Sequence, residues 1–390
     1  MRRRLCEPAS RRLYDRAVRP RPERLERLPQ QYFVSLLAKV AAAGPDVVDL
    51  GRGNPDVGPP AHVVERLAEA ARDPSAHGYA PIRGLPALRE AIAGRYRDVY
   101  GVELDPEREV AIVPGTKTGF VELGMCLVEE GETLVLPEPW YPDYPSAVAF
   151  ANAQLGTVPL DPGRGWAPDF SRAPRERVGA VFLNYPCNPC AVTAPPGAFD
   201  EAVAYARETG AAVVHDFAYG DLVFDGRAPE SFLATPGAKE VGVELFTMSK
   251  TYGMSGWRVG FVLGNAEIVE RVNVMNDHTR VGIFSPVAEA CIAALTGPQD
   301  SVATRVASYQ ARRDRVLEAL PVEARCEGTF FFWVERPNGV SADELLTEHG
   351  VAVAPGEGFG PSGAGWMRLS LAVPDDRLDL GLERLAGAYR

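Results

Sequence analysis

From Asp46 onward the chain alternates between short, nearly unbroken apolar runs and longer segments with helical periodicity. The runs "EVAIVPG", "ETLVLPE", "VGAVFLNYP", "AAVVHDF", "VELFTMS" and "WRVGFVLG" are apolar almost throughout, rather than alternating with polar residues, as in strands buried on both faces. Between some of them lie "GLPALREAIAGRYRDVY", "TKTGFVELGMCLVEEG" and "GAFDEAVAYARETG", which read as helices. The alternation predicts an α/β fold with a doubly wound, mostly parallel sheet and helices on both sides. After about Leu295 the rhythm changes to a long helix, the run "GTFFFWVE", a helix "SADELLTEHG", further strands and a final helix. This predicts a smaller α+β domain. The expected division is residues 1–45 as an arm and a segment joining the small domain, 46–294 as the large domain, and 295–390 as the small C-terminal domain.

Composition narrows the function without naming it. A chain of 390 residues with 46% hydrophobic and 24% charged residues can bury a large core without disulfide staples. A net charge of -11 argues against nucleic acid as the partner, and no apolar run is long enough for a membrane span. The six cysteines show no framework spacing, which fits a reducing compartment. The first thirty residues are rich in arginine, with Glu7, Asp15, Glu23 and Glu26 interspersed and no apolar core. That pattern excludes a secretory signal and weighs against a transit peptide, leaving a mobile arm that becomes ordered near "LPQQYF".

In open α/β sheets ligands sit beyond the carboxyl ends of the strands, so the residues there matter most. They are "PGTKTG", "PWYPDY", "NYPCNP", "HDFAYGD" and "TMSKTYGMSGWR". Lys250 follows a buried strand, with Thr247, Ser249 and Arg258 close by in sequence. A desolvated lysine has a lowered pKa and can form a Schiff base, while hydroxyls, a guanidinium and a helix start can hold a phosphate. A surface lysine beside a turn is the plain alternative. Asp216 ends another strand, where a carboxylate can pair with a protonated ring nitrogen or simply cap a helix. His215 reads as a core or supporting histidine. The C-x-x-C of "NYPCNPC" (Asn184–Cys190) suits neither a redox dithiol nor zinc: a proline intervenes, and no second Cys/His pair lies at suitable spacing. No metal is expected.

Taken in order, "GRGNPDVGPP", "HGYAPIRGLPALREAI", "GTKTG", "PEPWYPDY", "NYPCNP", "VVHDFAYGDLVFDG", "TMSKTYGMSGWRVG" and "GWMRLSLA" carry a resemblance. The chain resembles the class I/II, fold type I, pyridoxal-phosphate-dependent aminotransferases from about Arg24 onward. Within them it looks most similar to the bacterial alanine (glutamate–pyruvate) transaminase branch. The resemblance implies pyridoxal 5'-phosphate as cofactor, amino acids and 2-oxo acids as substrates, a homodimer with a shared active site, and a cytoplasmic enzyme. It implies that Lys250 forms the Schiff base and later moves the substrate's α-proton, and that Asp216 keeps the ring nitrogen protonated. Tyr219 and Asn188 would bond the ring's phenolic oxygen, and Tyr141 would stack on the ring, with the adjacent Trp140 as runner-up. Thr116, Lys117, Thr247, Ser249 and Arg258 would hold the phosphate, joined by Tyr79 from the other subunit. Arg368 would grip the substrate α-carboxylate with help from the Gly53 N–H.

The chain departs from that family at Cys190 and Ala191, where Thr-Gly is usual. The alanine is harmless there only with a negative φ. An extra arginine for a dicarboxylate substrate has three candidates, Arg52, Arg83 and Arg280, and Tyr32 and Phe33 are expected to cover the pocket. Elimination, cyclisation or oxidation on the same scaffold is the alternative to transamination, since the cofactor motifs serve all of them.

Overall fold

The computed structural model describes residues 22–337 and 339–390. The arginine-rich stretch expected as an arm falls, over residues 1–21, outside the described residues. The described chain begins with a helical turn, Glu23–Glu26, and the helix Tyr32–Ala43.

In chain order the strands are β1 (Val48–Asp49), β2 (Val110–Val113), β3 (Thr133–Glu138), β4 (Gln154–Asp161), β5 (Ala167–Pro168), β6 (Val178–Asn184) and β7 (Ala212–Asp216). They continue with β8 (Gly242–Thr247), β9 (Gly260–Gly264), β10 (Phe331–Glu335), β11 (Val351–Ala352), β12 (Ala354–Pro355) and β13 (Trp366–Ser370). The main sheet has the order β2-β9-β8-β7-β6-β3-β4-β5. Strands β4, β3, β6, β7 and β8 run parallel, and β9 is antiparallel to both β2 and β8. Every residue of β2, β8 and β9 is buried, as a sheet covered on both faces requires. Each fully buried Val, Leu or Phe there contributes roughly 1.5–3 kcal/mol.

The strand order reverses between β6 and β3: β4 follows β3 on one side, while β7 and β8 follow β6 on the other. That switch point opens a crevice at the carboxyl ends, where "PWYPDY" and "NYPCNP" leave the sheet. A second, three-stranded sheet, β10-β13-β12, closes the crevice from the far side. The early strand β1 pairs with β11 of this C-terminal part, Val48 opposite Val351, which carries Gly51 and Gly53 to the crevice. The helices Asp300–Ala319 and Asp375–Ala388 pack together behind the smaller sheet. No helix among the described residues is long and apolar enough to cross a membrane.

Candidate active site

Five strand ends and the smaller sheet meet around one cleft of about 390 Å³. Of the residues expected from the sequence, Gly53, Thr116, Lys117, Tyr141, Asn188, Asp216, Tyr219, Lys250 and Arg368 line it.

Lys250 sits on the helical turn Met248–Thr251 that follows β8, and Thr247 caps that turn by accepting the Ser249 N–H at 3.2 Å. The Lys250 Nζ donates to the Gly53 carbonyl at 3.3 Å and lies 5.3 Å from the Phe330 ring centroid. Burial first, then the positive charges of Arg368 and Arg258, push its pKa down to about 8, against the pull of Asp216. At pH 7 about a tenth of such an amine is neutral, several hundred times more than for an ordinary lysine. An amine in this state is suited to nucleophilic attack.

Asp216 closes β7 at the bottom of the cleft. Its Oδ2 accepts the Tyr144 hydroxyl at 2.7 Å and its Oδ1 the Ala218 N–H at 3.2 Å. Burial raises its pKa, while Tyr144, His215, Ala218 and Lys250 oppose the rise. His215 lies behind it, fully buried. Its Nε2 accepts the Tyr185 N–H at 3.2 Å, so Nδ1–H donates to Glu244 at 2.8 Å. The histidine is a support beneath the cleft and not part of its lining.

Arg368 on β13 is buried among rings, its guanidinium carbon 3.7 Å from the Phe331 centroid, 4.9 Å from Phe359 and 5.2 Å from Phe33. It donates to Asn188 Oδ1 at 2.8 Å and to the Gly51 carbonyl at 3.2 Å, and its Nε has no partner. Burial lowers its pKa to about 10, and that group stays cationic at neutral pH. A side chain at Gly53 would meet Phe331 at 3.1 Å and Arg368 at 3.6 Å, so only glycine leaves this corner open. Tyr219 packs against Phe330 and Phe331, and burial raises its pKa while Arg368 and a hydrogen bond with Asn188 oppose the rise.

At the other end, Thr116 and Lys117 begin the helix Thr116–Leu127 after Gly115, whose φ of 82° suits glycine. Arg258 packs so closely on Gly115 that an added Cβ would lie 2.4 Å from its Nη2, and its donors go to the Ser255 and Pro114 carbonyls. Thr247 Oγ donates to the Val259 carbonyl at 3.0 Å and pairs with Ser249 Oγ at 2.9 Å. The Lys117 ammonium is 2.7 Å from Asp143, so its side chain is held at the cleft edge by a carboxylate. Tyr141 lines the cleft, whereas Trp140 turns away and packs on Gly360. Tyr79 is 92% exposed.

Of the three spare arginines only Arg52 reaches the cleft, where its Nε donates to Asp49 at 2.5 Å. Arg83 is engaged with Glu270 and Asp277, and Arg280 with the Ile112 carbonyl. Sequence reasoning overlooked two residues. Asn184 accepts the Asn188 N–H at 2.7 Å and donates to the Asp216 carbonyl at 2.7 Å, tying two strand ends together. Tyr144 holds Asp216. Both lay inside quoted stretches, and the cross-strand pairing of Asn184 with Asp216 was the missing signal. The harmless case for Ala191 also fails: its φ is 58°, in the left-handed region that costs an alanine on the order of 1–2 kcal/mol. The Ala191 carbonyl accepts the Glu327 and Gly328 N–H groups at 2.7 and 3.1 Å, which fixes it there. Cys187 and Cys190 are free and buried, and burial raises the Cys190 pKa, the reverse of a reactive thiol.

A family profile described as "Aminotransferase class I and II" matches residues 45–385. The chain belongs to the class I and II aminotransferases. The L-glutamine–4-(methylsulfanyl)-2-oxobutanoate aminotransferase of Bacillus subtilis (strain 168) is 44% identical over 369 residues, covering 91% of this chain and 92% of that one. The LL-diaminopimelate aminotransferase of Desulforudis audaxviator (strain MP104C) is 40% identical, covering 94% and 97%. Substrate-bound BacF from Bacillus subtilis superposes with a TM-score of 0.90 at 37% identity, covering 95% and 98%. The fold is type I, and this aminotransferase uses pyridoxal 5'-phosphate to move an amino group from an amino acid to a 2-oxo acid. The cleft fits that group: a lysine with a depressed pKa, a carboxylate at the floor, an open helix start beside an arginine, and a buried guanidinium with a free N–H.

Proposed function

We propose that this aminotransferase draws its amino group from glutamine or glutamate and delivers it to an oxo acid with an unbranched apolar side chain. The observation that carries the reading is the mixed lining of the cleft that holds Arg368, which includes Phe33, Leu36 and Leu37 as well as Arg52 and Asn54. Both substrates occupy one site in turn, so the lining has to accept a polar side chain and an apolar one. Similarity to the glutamine-dependent relative supports the choice. Alanine and glutamate with pyruvate and 2-oxoglutarate form the second reading. It is favoured by the cover over Arg368, where Phe33 lies on the guanidinium and Tyr32 donates to the Pro355 carbonyl at 2.8 Å.

Bound pyridoxal phosphate supplies the electron sink that makes the substrate's α-proton removable. Lys250 would carry the covalent attachment and afterwards hold that proton at Nζ. Asp216, whose oxygens accept the Tyr144 hydroxyl and the Ala218 N–H, would hold a proton on the ring nitrogen. Tyr219 and Asn188 would donate to the ring's phenolic oxygen, and Tyr141 would lie over the ring. Thr116, the Lys117 backbone, Thr247, Ser249 and Arg258 would hold the phosphate. Arg368 and the Gly53 N–H orient the α-carboxylate; the planar fork matches it better than a lysine does.

Tyr79, Ile82, Val281 and Phe284 leave an exposed apolar patch, and we place a second copy there, with Tyr79 reaching its phosphate end. The three-part division at residues 45 and 294 stands as our reading of the domains, with β1 crossing to the small one. The free thiols agree with a cytoplasmic enzyme. Rapid-mixing absorbance with one amino acid at a time tests the substrate assignment. Glutamine or glutamate should convert the cofactor fastest, and a faster alanine reaction would replace this reading with the second.

A further inference from the structure

Behind the cleft lies a buried ion pair that the chemistry above does not use. Arg95, on the helix Pro86–Tyr100, donates to Asp221 Oδ1 at 2.7 Å, and the side chains of both are 5% exposed. The Tyr100 hydroxyl donates to the same oxygen at 2.7 Å. The other oxygen, Oδ2, accepts the Thr251 hydroxyl at 2.8 Å. Asp221 therefore joins two segments of the cleft. It stands two residues after Tyr219 and five after Asp216, and Thr251 follows Lys250 directly. A further link runs from Arg95 to Gln299 Oε1 at 3.3 Å, which also accepts the Tyr252 hydroxyl at 3.0 Å.

A buried ion pair is a weak source of net stability, because desolvating both charges offsets much of their attraction. A buried carboxylate that accepts three donors, two from one helix and one from the Lys250 turn, does fix the relative geometry of those segments. Lys250 needs that fixing. Its helical turn is only four residues long, and the turn itself is anchored by the Thr247 cap and by Thr251. A reacting group displaced by about 1 Å can lose on the order of a hundredfold in rate. Neither Thr251 nor Asp221 lines the cleft.

We propose that Asp221, held by Arg95 and Tyr100, is a positioning residue that acts through the Thr251 hydroxyl to seat the Lys250 turn against the Asp216–Tyr219 segment. The proposal rests on the reading of Lys250 as the reacting lysine, and the first part of its test needs no cofactor. Thr251→Val removes the hydroxyl while keeping the shape, and Thr251→Ser keeps the hydroxyl. The charged groups flanking Lys250 are Asp216, Arg258 and Arg368, and neither variant changes them.

The pH dependence of Lys250 acetylation by limiting acetic anhydride, read by peptide mass spectrometry on the cofactor-free protein, reports how tightly the turn is seated. In the parent and in Thr251→Ser the midpoint should lie near 8. In Thr251→Val a loosened turn should let water reach the amine, moving the midpoint up by about one unit toward the ordinary lysine value. In the loaded enzyme kcat should fall about tenfold or more with the amino-acid KM nearly unchanged, and Thr251→Ser should restore it. A midpoint and kcat in Thr251→Val equal to those of the parent would overturn the proposal. So would equal losses in Thr251→Val and Thr251→Ser. A parent midpoint near the ordinary value would instead contradict the picture of Lys250 itself.

Discussion

At one end of the cleft Arg258 is exposed, pressed against Gly115, with its donors on the Ser255 and Pro114 carbonyls. At the other end Arg368 is buried under Phe33, Phe331 and Phe359, bonded to Asn188, with Nε unpaired. The difference follows from what each end is read to hold. A phosphate can be shared among many weak donors, including backbone N–H groups at a helix start, and it tolerates nearby water. A substrate carboxylate has two oxygens and must be oriented as well as bound, so one planar fork in a dry ringed pocket suits it. The first end should govern cofactor retention, and the second should govern which molecule reacts.

The severest way to break this comparison is to remove the centre between the two ends. Lys250→Ala should lower turnover by about 10⁴-fold or more, the scale seen when a nucleophile is deleted, while both arginines remain in place. Steady-state kinetics on the reconstituted variant measures this. Asp216→Asn should follow, with a loss of roughly 10²–10⁴ in kcat, because the amide cannot hold the ring proton by charge. Arg368→Lys sharpens the contrast. It should raise the amino-acid KM by about tenfold to a hundredfold, since a lost charged hydrogen bond is worth roughly 1.5–3 kcal/mol, with cofactor affinity unchanged. Arg258→Gln should do the reverse, weakening cofactor binding by about tenfold, as equilibrium dialysis would show, with KM unchanged at saturating cofactor.

An effect of similar size is expected in pH. Because the Lys250 pKa is depressed to about 8, the neutral amine increases as pH rises and is complete above it. Covalent capture of pyridoxal phosphate should therefore speed up about tenfold from pH 7 to pH 9 and then level off. An ordinary lysine would continue to rise past pH 10.

The sheet was readable because strands covered on both faces leave unbroken apolar runs; β6, β7, β8 and β9 all came from such runs. Strand β4 was passed over, since its half-exposed pattern near the sheet edge includes Gly156 and Pro159. The direction of β9 was equally hidden, because an antiparallel strand buried on both faces looks like its parallel neighbours. The cleft's residues were visible as polar letters after apolar runs. What the letters did not carry was partnership. Lys117 was read as a phosphate holder at the helix start, yet Asp143 pairs with its ammonium, and Arg83 and Arg280 are held by groups distant in sequence. Asn184 meets Asp216 through the pairing of β6 with β7, and Tyr144, from the segment after β3, reaches it by a hydrogen bond; neither contact is written in the letters. Ala191 is similar, for no sequence shows the sign of a φ angle.

The central claim is that Lys250, set between these two ends, is the residue that bonds the cofactor. Two lysines line the cleft, Lys250 and Lys117, and they separate the possibilities cleanly. The protein is loaded with pyridoxal phosphate, reduced with borohydride, digested and mapped by mass spectrometry. The account predicts a phosphopyridoxyl group on the peptide that carries Lys250 and none on that of Lys117. A label on Lys117, or no label after full reconstitution, would contradict it.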